Sequence, residues 1–450
     1  MGSFDMDPIH VERLRQNSPG YGGKLGPLAA LALLLACSSL AVACEAGKSE
    51  KGAGILKVWC HSGRAEEREV IRRLVQEFNE SSADLRVSLT IIPEGSYNGQ
   101  VQAAALAGDL PDVLELDGPF VAGYAWRGYI AAIGERVGGE LREDLLSSIV
   151  EQGTWGGELY SLAMFDSGLG LYARRGELEQ AGARIPASAG EAWTISEFEA
   201  LLENLAARDE DGAVLDLKLN YRGEWYTYAF SPAIQSAGGD LIGRGEGGKA
   251  RGVLDGPQSV RVLRRFQSWF EKGRVDPNLD DRAFVAGRAT LSWAGHWEYA
   301  RYKQAAGEDL VVLPLPDFGD GSRTGQGSWV WSVTTSCERP AEAMRFLRFL
   351  AEPGSILSMC AANGAVPATH TALRRSELYR DDGPLRLFSA QLTGGWSVPR
   401  PETPAYPVIS SVFEEAFQRI RDGADVTRTL CEAAAVIDRE VRDNRGYPER

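Results

Sequence analysis

The chain has 450 residues, 44% of them hydrophobic and 24% charged, which supports a large buried core and excludes a small disulfide scaffold, a collagen-like chain or a disordered one. At about 150 residues per domain the length allows three domains, or two lobes sharing one site. With 48 Lys and Arg against 62 Asp and Glu the net charge is −14, which excludes the basic footprint of a nucleic-acid binder and disfavours an anionic ligand. Eleven tryptophans are the main surplus. Core packing accounts for most of them, and a flat face on which a polar ring stacks is the other use of such a residue.

Arg13, Arg15 and Lys24 precede an uncharged apolar stretch, Leu25 to Ala43, which ends in Ala41-Val42-Ala43-Cys44 before the polar run from Glu45 to Gly52. This is the layout of a targeting segment. The small residues before Cys44 resemble the lipobox of bacterial lipoproteins, whose cysteine is acylated and becomes the mature N-terminus; Leu34-Leu35-Ala36-Cys37 is a second candidate. The resemblance implies a signal peptide over 1–43, a flexible tether over 44–53, and a body outside the cytoplasm anchored to the bacterial cell membrane. Ordinary secretion and a retained membrane helix are the alternatives. Of the remaining cysteines, Cys60, Cys337, Cys360 and Cys431, none forms a C-x-x-C pair, and the chain has four histidines, so no zinc site is expected. The four allow two disulfides in three connectivities, which spacing does not rank. No cofactor is expected.

Ile55 to Trp59 is a short apolar run; Val70, Ile71, Leu74, Val75 and Phe78 then recur at helical spacing, and Leu85 to Ile92 alternates as a strand. That reads as a βαβ unit. Pro111-Asp112 opens a third strand, 113–116, which delivers Asp117-Gly118-Pro119 into a turn. Ligands of open α/β sheets bind beyond the carboxyl ends of strands, which places His61, Ser62 and Asp117 at such a position. Thr194-x-x-Glu197 is a capping signature for a helix over 194–205; 259–270 and 340–350 are amphipathic, with Pro340 suited to a first turn. Val412, Phe413, Ala416, Phe417 and Ile420, then Leu430, Ala434, Ile437 and Val441, describe two closing helices. The chain is α/β throughout, without internal repeats. Gly243 to Ala250 approximates a phosphate loop, but Ala250 replaces the required hydroxyl residue, and a surface hairpin is the better reading.

Residues 54 to 445 resemble the extracellular solute-binding proteins of carbohydrate ABC importers, the maltose-binding-protein-like group. Lys57-Val58-Trp59 with the helix ending Glu77-Phe78-Asn79 looks like that family's opening. Leu110-Pro111-Asp112-Val113 with Leu116-Asp117-Gly118-Pro119-Phe120 resembles its first ligand-facing turn, and Gly157-Glu158-Leu159-Tyr160-Ser161-Leu162 with Leu171-Tyr172-Ala173-Arg174 resembles the segment entering the second lobe. Phe284-Val285-Ala286-Gly287 with Trp293-Ala294-Gly295-His296-Trp297 resembles the turn that carries a stacking tryptophan; Gly364-Ala365-Val366-Pro367-Ala368 and Arg400-Pro401-x-x-Pro404-Ala405-Tyr406-Pro407 complete the order. Ala173 stands where the family usually has a second tyrosine, and His296 where it has proline.

The resemblance implies a type II periplasmic-binding-protein-like fold: one lobe of 54–165 with 315–362, a second of 166–314 with 363–446, and hinge crossings near 165, 314 and 362 around a ligand cleft. It also implies high-affinity binding of a carbohydrate, a di- or oligosaccharide, and delivery to membrane-embedded ABC permease subunits. A sugar presents hydroxyls at its rim and a C–H face, so a site needs planar polar side chains at the edge and aromatic rings on the faces. Asp117 and Asp166 are the expected edge acceptors, Arg400 a bidentate donor to vicinal hydroxyls, His296 a further donor, Trp297 the leading platform, and Trp329, Trp331 and Tyr406 additional aromatic contacts. Each has a plainer reading as a cap, a salt bridge or core. A sensor that presents bound sugar to a membrane receptor is the alternative role. A glycoside hydrolase would use the same two carboxylates, but no glycosidase nucleophile motif and no G-x-S-x-G elbow is present, so no enzyme is expected.

Overall fold

A computed structural model of the protein describes residues 54–245 and 248–448. The segment carrying Cys37 and Cys44 lies outside the described residues, as do Glu246 and Gly247 of the glycine-rich turn.

β1 (Gly54–His61) buries Leu56, Val58 and Cys60 on one face, α1 (Ala65–Ser81) packs Ile71, Leu74, Val75 and Phe78 against the core, and β2 (Leu85–Ile92) runs parallel to β1 in register from Gly54↔Leu85 to His61↔Ile92. α2 (Glu94–Ala107) returns the chain to β3 (Val113–Asp117), parallel to β1 and buried throughout. α3 (Ser147–Gln152), β4 (Ser161–Leu162) and β5 (Phe165–Asp166) lead out of this region.

β6 (Leu169–Arg174) opens a second sheet. α4 (Ile195–Ala206) starts with the predicted reciprocal cap: the Glu197 amide donates to Thr194 Oγ1 at 3.3 Å and the Thr194 amide to Glu197 Oε2 at 2.8 Å. β7 (Leu215–Asp216), α5 (Glu224–Ser236), α6 (Pro257–Glu271), β8 (Leu291–Gly295) and β9 (Leu310–Leu313) follow, and the sheet has the order β9-β6-β8-β7, with β8 antiparallel to β6 and parallel to β7. The chain returns through β10 (Thr324–Gln326) to β11 (Trp329–Val333), which inserts antiparallel between β3 and β4, so the first sheet reads β2-β1-β3-β11-β4. α7 (Pro340–Leu350) begins on Pro340, and α8 (Pro353–Asn363) follows it. β12 (Val366–Pro367) pairs with β5, and β13 (Ser397–Pro399) with β10. α9 (Tyr406–Arg421) and α10 (Val426–Asp443) close the chain.

Buried apolar side chains form two clusters, one on each sheet. The first draws in Tyr172 and Ala294 from the second sheet and Tyr302 from the helical turn that follows β8, so the two cores abut there. Ala365, Val366, Ala368, Ala372, Tyr379, Leu385, Phe388 and Leu392 also belong to the first cluster, although the resemblance puts 363–446 with the second lobe. The β12–β5 pairing holds this stretch, and the chain rejoins the second cluster at Ala405 and α9. The glycine-rich turn is closed by the Gly243 amide donating to the Lys249 carbonyl at 2.9 Å, a turn between chain segments and not a loop opening a helix. Cys60, Cys337, Cys360 and Cys431 are all free thiols. Among the described residues no helix is long and apolar enough to cross a membrane.

Candidate ligand-binding site

β3 delivers Asp117 to the carboxyl edge of the first sheet, as its sequence position predicts. There Asp117 meets Arg400, whose Nη2 donates to Oδ1 at 2.8 Å and Nη1 to Oδ2 at 3.2 Å. The same Nη1 donates to Glu224 Oε1 at 2.7 Å, and the guanidinium carbon lies 5.0 Å over the Tyr228 ring. Burial works against the Arg400 charge, but Asp117 and Glu224 outweigh it and hold the group protonated. The expectation that Arg400 turns a bidentate edge to sugar is therefore corrected: that edge is taken by Asp117, because a buried guanidinium without a carboxylate is costly. Glu224, whose pKa is raised by burial, also accepts from the hydroxyls of Ser410 at 2.6 Å and Tyr406. Tyr406 is fully buried and meets Phe120 edge-on at 5.8 Å, so it orients Glu224 and offers no open face.

Asp166 and His296 sit at the crossings between the two cores. Asp166 is fully buried, and its Oδ1 accepts from the amides of Ser167 at 2.7 Å and Gly327 at 2.9 Å, tying one crossing segment to another. Burial raises its pKa. His296 places Nδ1 at 2.9 Å from the Asn363 carbonyl, which only accepts, so Nδ1 carries the proton and Nε2 accepts from Ser167 Oγ at 3.1 Å. Burial pushes its pKa down to about 4, and the ring is neutral. Both ring nitrogens of His296 are thus committed, Nδ1 to a backbone carbonyl and Nε2 to the Ser167 hydroxyl, so neither is left free as a donor.

Trp297 is half-buried, with Nε1 donating to the Tyr221 hydroxyl at 3.3 Å and its ring 6.0 Å from Trp225 and 6.1 Å from Tyr228. Gly295 is required beneath it, because a Cβ there would overlap the indole. Trp329 is also half-buried and stacks on His61, ring centroids 3.7 Å apart and 5° from parallel. Two residues on, Trp331 is 3% exposed and packs edge-on to Phe346, so it is core and does not line a cleft with Trp329. Burial disfavours charge on His61, yet Glu115, 2.7 Å from Nδ1, wins and its pKa rises to about 9.

The structure adds residues that sequence reading passed over: Gln152, Tyr221, Glu224, Trp225 and Tyr228. The run Glu224-Trp225-Tyr226-Thr227-Tyr228 was an available signal, a carboxylate with three aromatics at the start of a helix. Together the side chains form a continuous row. Trp329 is the register partner of Asp117, Asp117 pairs with Arg400, Arg400 lies over Tyr228, and Tyr228 approaches Trp297.

The fold recurs in solved structures. The GacH receptor of Streptomyces glaucescens superposes with a TM-score of 0.72 at 18% identity, covering 87% of this chain and 98% of that one. The cyclic α-maltosyl-1,6-maltose binding protein of Arthrobacter globiformis gives 0.71 at 20% identity over 87% and 100%. An ABC transporter solute-binding protein of Thermotoga lettingae gives 0.73 at 18% over 86% and 99%. These matches establish a type II periplasmic-binding-protein-like architecture. A relative in sequence is an uncharacterized lipoprotein encoded in the oleD 5′ region of Streptomyces antibioticus, 25% identical over 370 residues, 78% of this chain and 77% of that one. The family model described as bacterial extracellular solute-binding protein matches residues 73–385, so the chain belongs to that family of binding proteins.

Proposed function

We propose that the protein binds a di- or oligosaccharide between its two cores and hands it to the membrane-embedded permease subunits of an ABC importer. The observation that carries this reading is the row Trp329, Asp117, Arg400, Tyr228, Trp297, which sets aromatic faces at both ends of a charged, hydrogen-bonding centre. Stacking rings with planar polar groups between them are what a hydroxylated ring with a C–H face requires. Asp117 and Trp297 with Trp329 are the proposed contacts, Asp166 a hinge-side acceptor, and Arg400 the group that positions Asp117. The similar solved proteins support the ligand class: GacH is described in complex with acarbose, the Arthrobacter protein by a cyclic maltosyl-maltose, and the Thermotoga protein with α-D-tagatose bound. Attachment to the outer face of the membrane through lipid on Cys44 completes the proposal, supported by the lipobox-like segment and the lipoprotein relative.

A thermal-shift screen of the purified protein against neutral mono-, di- and oligosaccharides tests it. A ligand at 100 times its Kd adds about 2.7 kcal/mol of stability, a readily measured rise in midpoint. If no sugar raises the midpoint, the carbohydrate reading is rejected.

A further inference from the structure

Where the two cores meet, around the Gly327–Ser328 peptide, buried polar side chains are fastened through one atom and left open at another. Asp166 holds the Gly327 amide through Oδ1, and its Oδ2 has no hydrogen bond. Gln152 accepts from the Ser328 amide through Oε1 at 2.8 Å, and its Nε2 has none. Arg400 commits both Nη atoms to Asp117 and Glu224, and its Nε has none. The hydroxyls of Ser148 and Tyr228 are equally unpaired. Ser148 lies near Asp166 and Tyr228 near Ser167, in neither case with the geometry of a formed bond. All five side chains belong to residues at least nine-tenths buried.

These groups form one ring. Asp166 and Gln152 hold consecutive amides, and a Cβ on Gly327 would stand 3.2 Å from Gln152 Oε1 and 3.3 Å from Arg400 Nη2. Gly327 has φ of 101°, a conformation that favours glycine, and its missing side chain lets these groups close in. The ring is drawn from both sides: Ser148 and Gln152 from α3, whose Ile149 belongs to the first core, and Tyr228 from α5 in the second. Unpaired buried polar atoms are rare because each forfeits its bond to water, and five on side chains gathered about one peptide call for a polar occupant.

We infer that this ring is the innermost subsite of the cleft and takes a neutral or amine-bearing sugar ring through two or three adjacent hydroxyls. The inference rests on the carbohydrate reading above and assigns Gln152, Ser148 and Tyr228 to it. Gln152 Nε2 and Arg400 Nε supply donors, Asp166 Oδ2 supplies an acceptor, and the two hydroxyls act either way, matching sugar hydroxyls that both donate and accept. The carboxylates of Asp117, Asp166 and Glu224 face a single guanidinium, so a uronate or a phosphorylated sugar meets an excess of negative charge.

Tyr228→Phe and Ser148→Ala each remove only an unpaired oxygen, which gives the test an unusual signature. In the free protein the melting midpoint stays level or rises, whereas titration calorimetry with the sugar identified in the screen shows Kd weakened about five- to tenfold per hydroxyl. The uronate counterpart of that sugar binds the parent more weakly still. A sugar that binds both variants as tightly as the parent overturns the subsite while the carbohydrate reading stands. A lowered midpoint in either free variant also overturns it, because the hydroxyl then holds a structural bond. A parent that binds no sugar overturns both readings together.

Discussion

Burial draws both described cleft-side histidines toward neutrality, and only a facing carboxylate reverses it. His61 lies 2.7 Å from Glu115 and its pKa rises to about 9, whereas His296 faces a carbonyl and a hydroxyl and falls to about 4. Because the folded value of His61 lies above its ordinary 6.5, its contribution is fully present below about pH 6.5 and is lost as pH rises through 9. His296 works the other way: its contribution is present above 6.5 and is lost as pH falls through 4. Urea denaturation across pH should show up to about 3 kcal/mol lost on the alkaline side in the parent, and a flatter alkaline limb in Glu115→Gln. An unchanged limb in that variant removes the pair as its cause. At the ligand-facing residues, Trp297→Ala should weaken sugar binding by about 1–3 kcal/mol, roughly five- to 150-fold, with a smaller loss of stability. Gly295→Ala should mimic it by displacing the intact indole. Calorimetry on both variants decides, and wild-type affinity in either rejects Trp297 as the platform.

Between elements, an ion pair on a shared carboxylate links the two cores. Arg64, just after β1, donates to Glu298 Oε1 at 2.5 Å, and the fully buried Glu298 also accepts from the Tyr221 hydroxyl at 2.7 Å and Arg301 Nε at 2.9 Å. Separating the cores removes one donor of three, so the carboxylate is never left unpaired, and the cost of opening stays small. Asn363 Nδ2 donating to Glu67 at 2.9 Å instead fastens α8 to α1 within the first core. Arg64→Gln should leave the melting midpoint close to the parent, weaken sugar affinity about two- to fivefold, and reduce its dependence on salt. Unaltered affinity and salt dependence would show that the pair does not contribute to closure. The elements themselves were largely legible in the chain: β1, α1, β2, β3, the capped α4 and the closing helices follow periodicity and capping. The placement of Ala365 to Leu392 on the first core was not, because it rests on contacts distant in sequence, the pairing of β12 with β5 and the bonds of Ala368 and Thr371 to Leu146 and Asp144.

For the whole molecule, two cores joined by several crossings imply hinge closure on ligand, since a sugar touching both sides binds only the closed arrangement fully. X-ray scattering with and without the identified sugar should show a smaller radius of gyration when it is bound, and superimposable profiles reject large closure. Lipid attachment is tested by Cys44→Ala, which should abolish incorporation of labelled fatty acid in cells. Two acyl chains are the number that gives stable anchoring, and continued labelling moves the site to Cys37. By itself the sequence determined the α/β class and the position of Asp117 at a strand end, because periodicity, capping and turn chemistry act over a few residues, and the order of its short motifs carried the resemblance to the family. Only the tertiary structure decided what the polar side chains do. Arg400 is held by Asp117 and Glu224, 283 and 176 residues away, Asp166 by Gly327 at 161 and His296 by Ser167 at 129. A buried charge takes whichever partner the fold brings within 3 Å, and neither that partner nor the depth of burial is written in neighbouring residues.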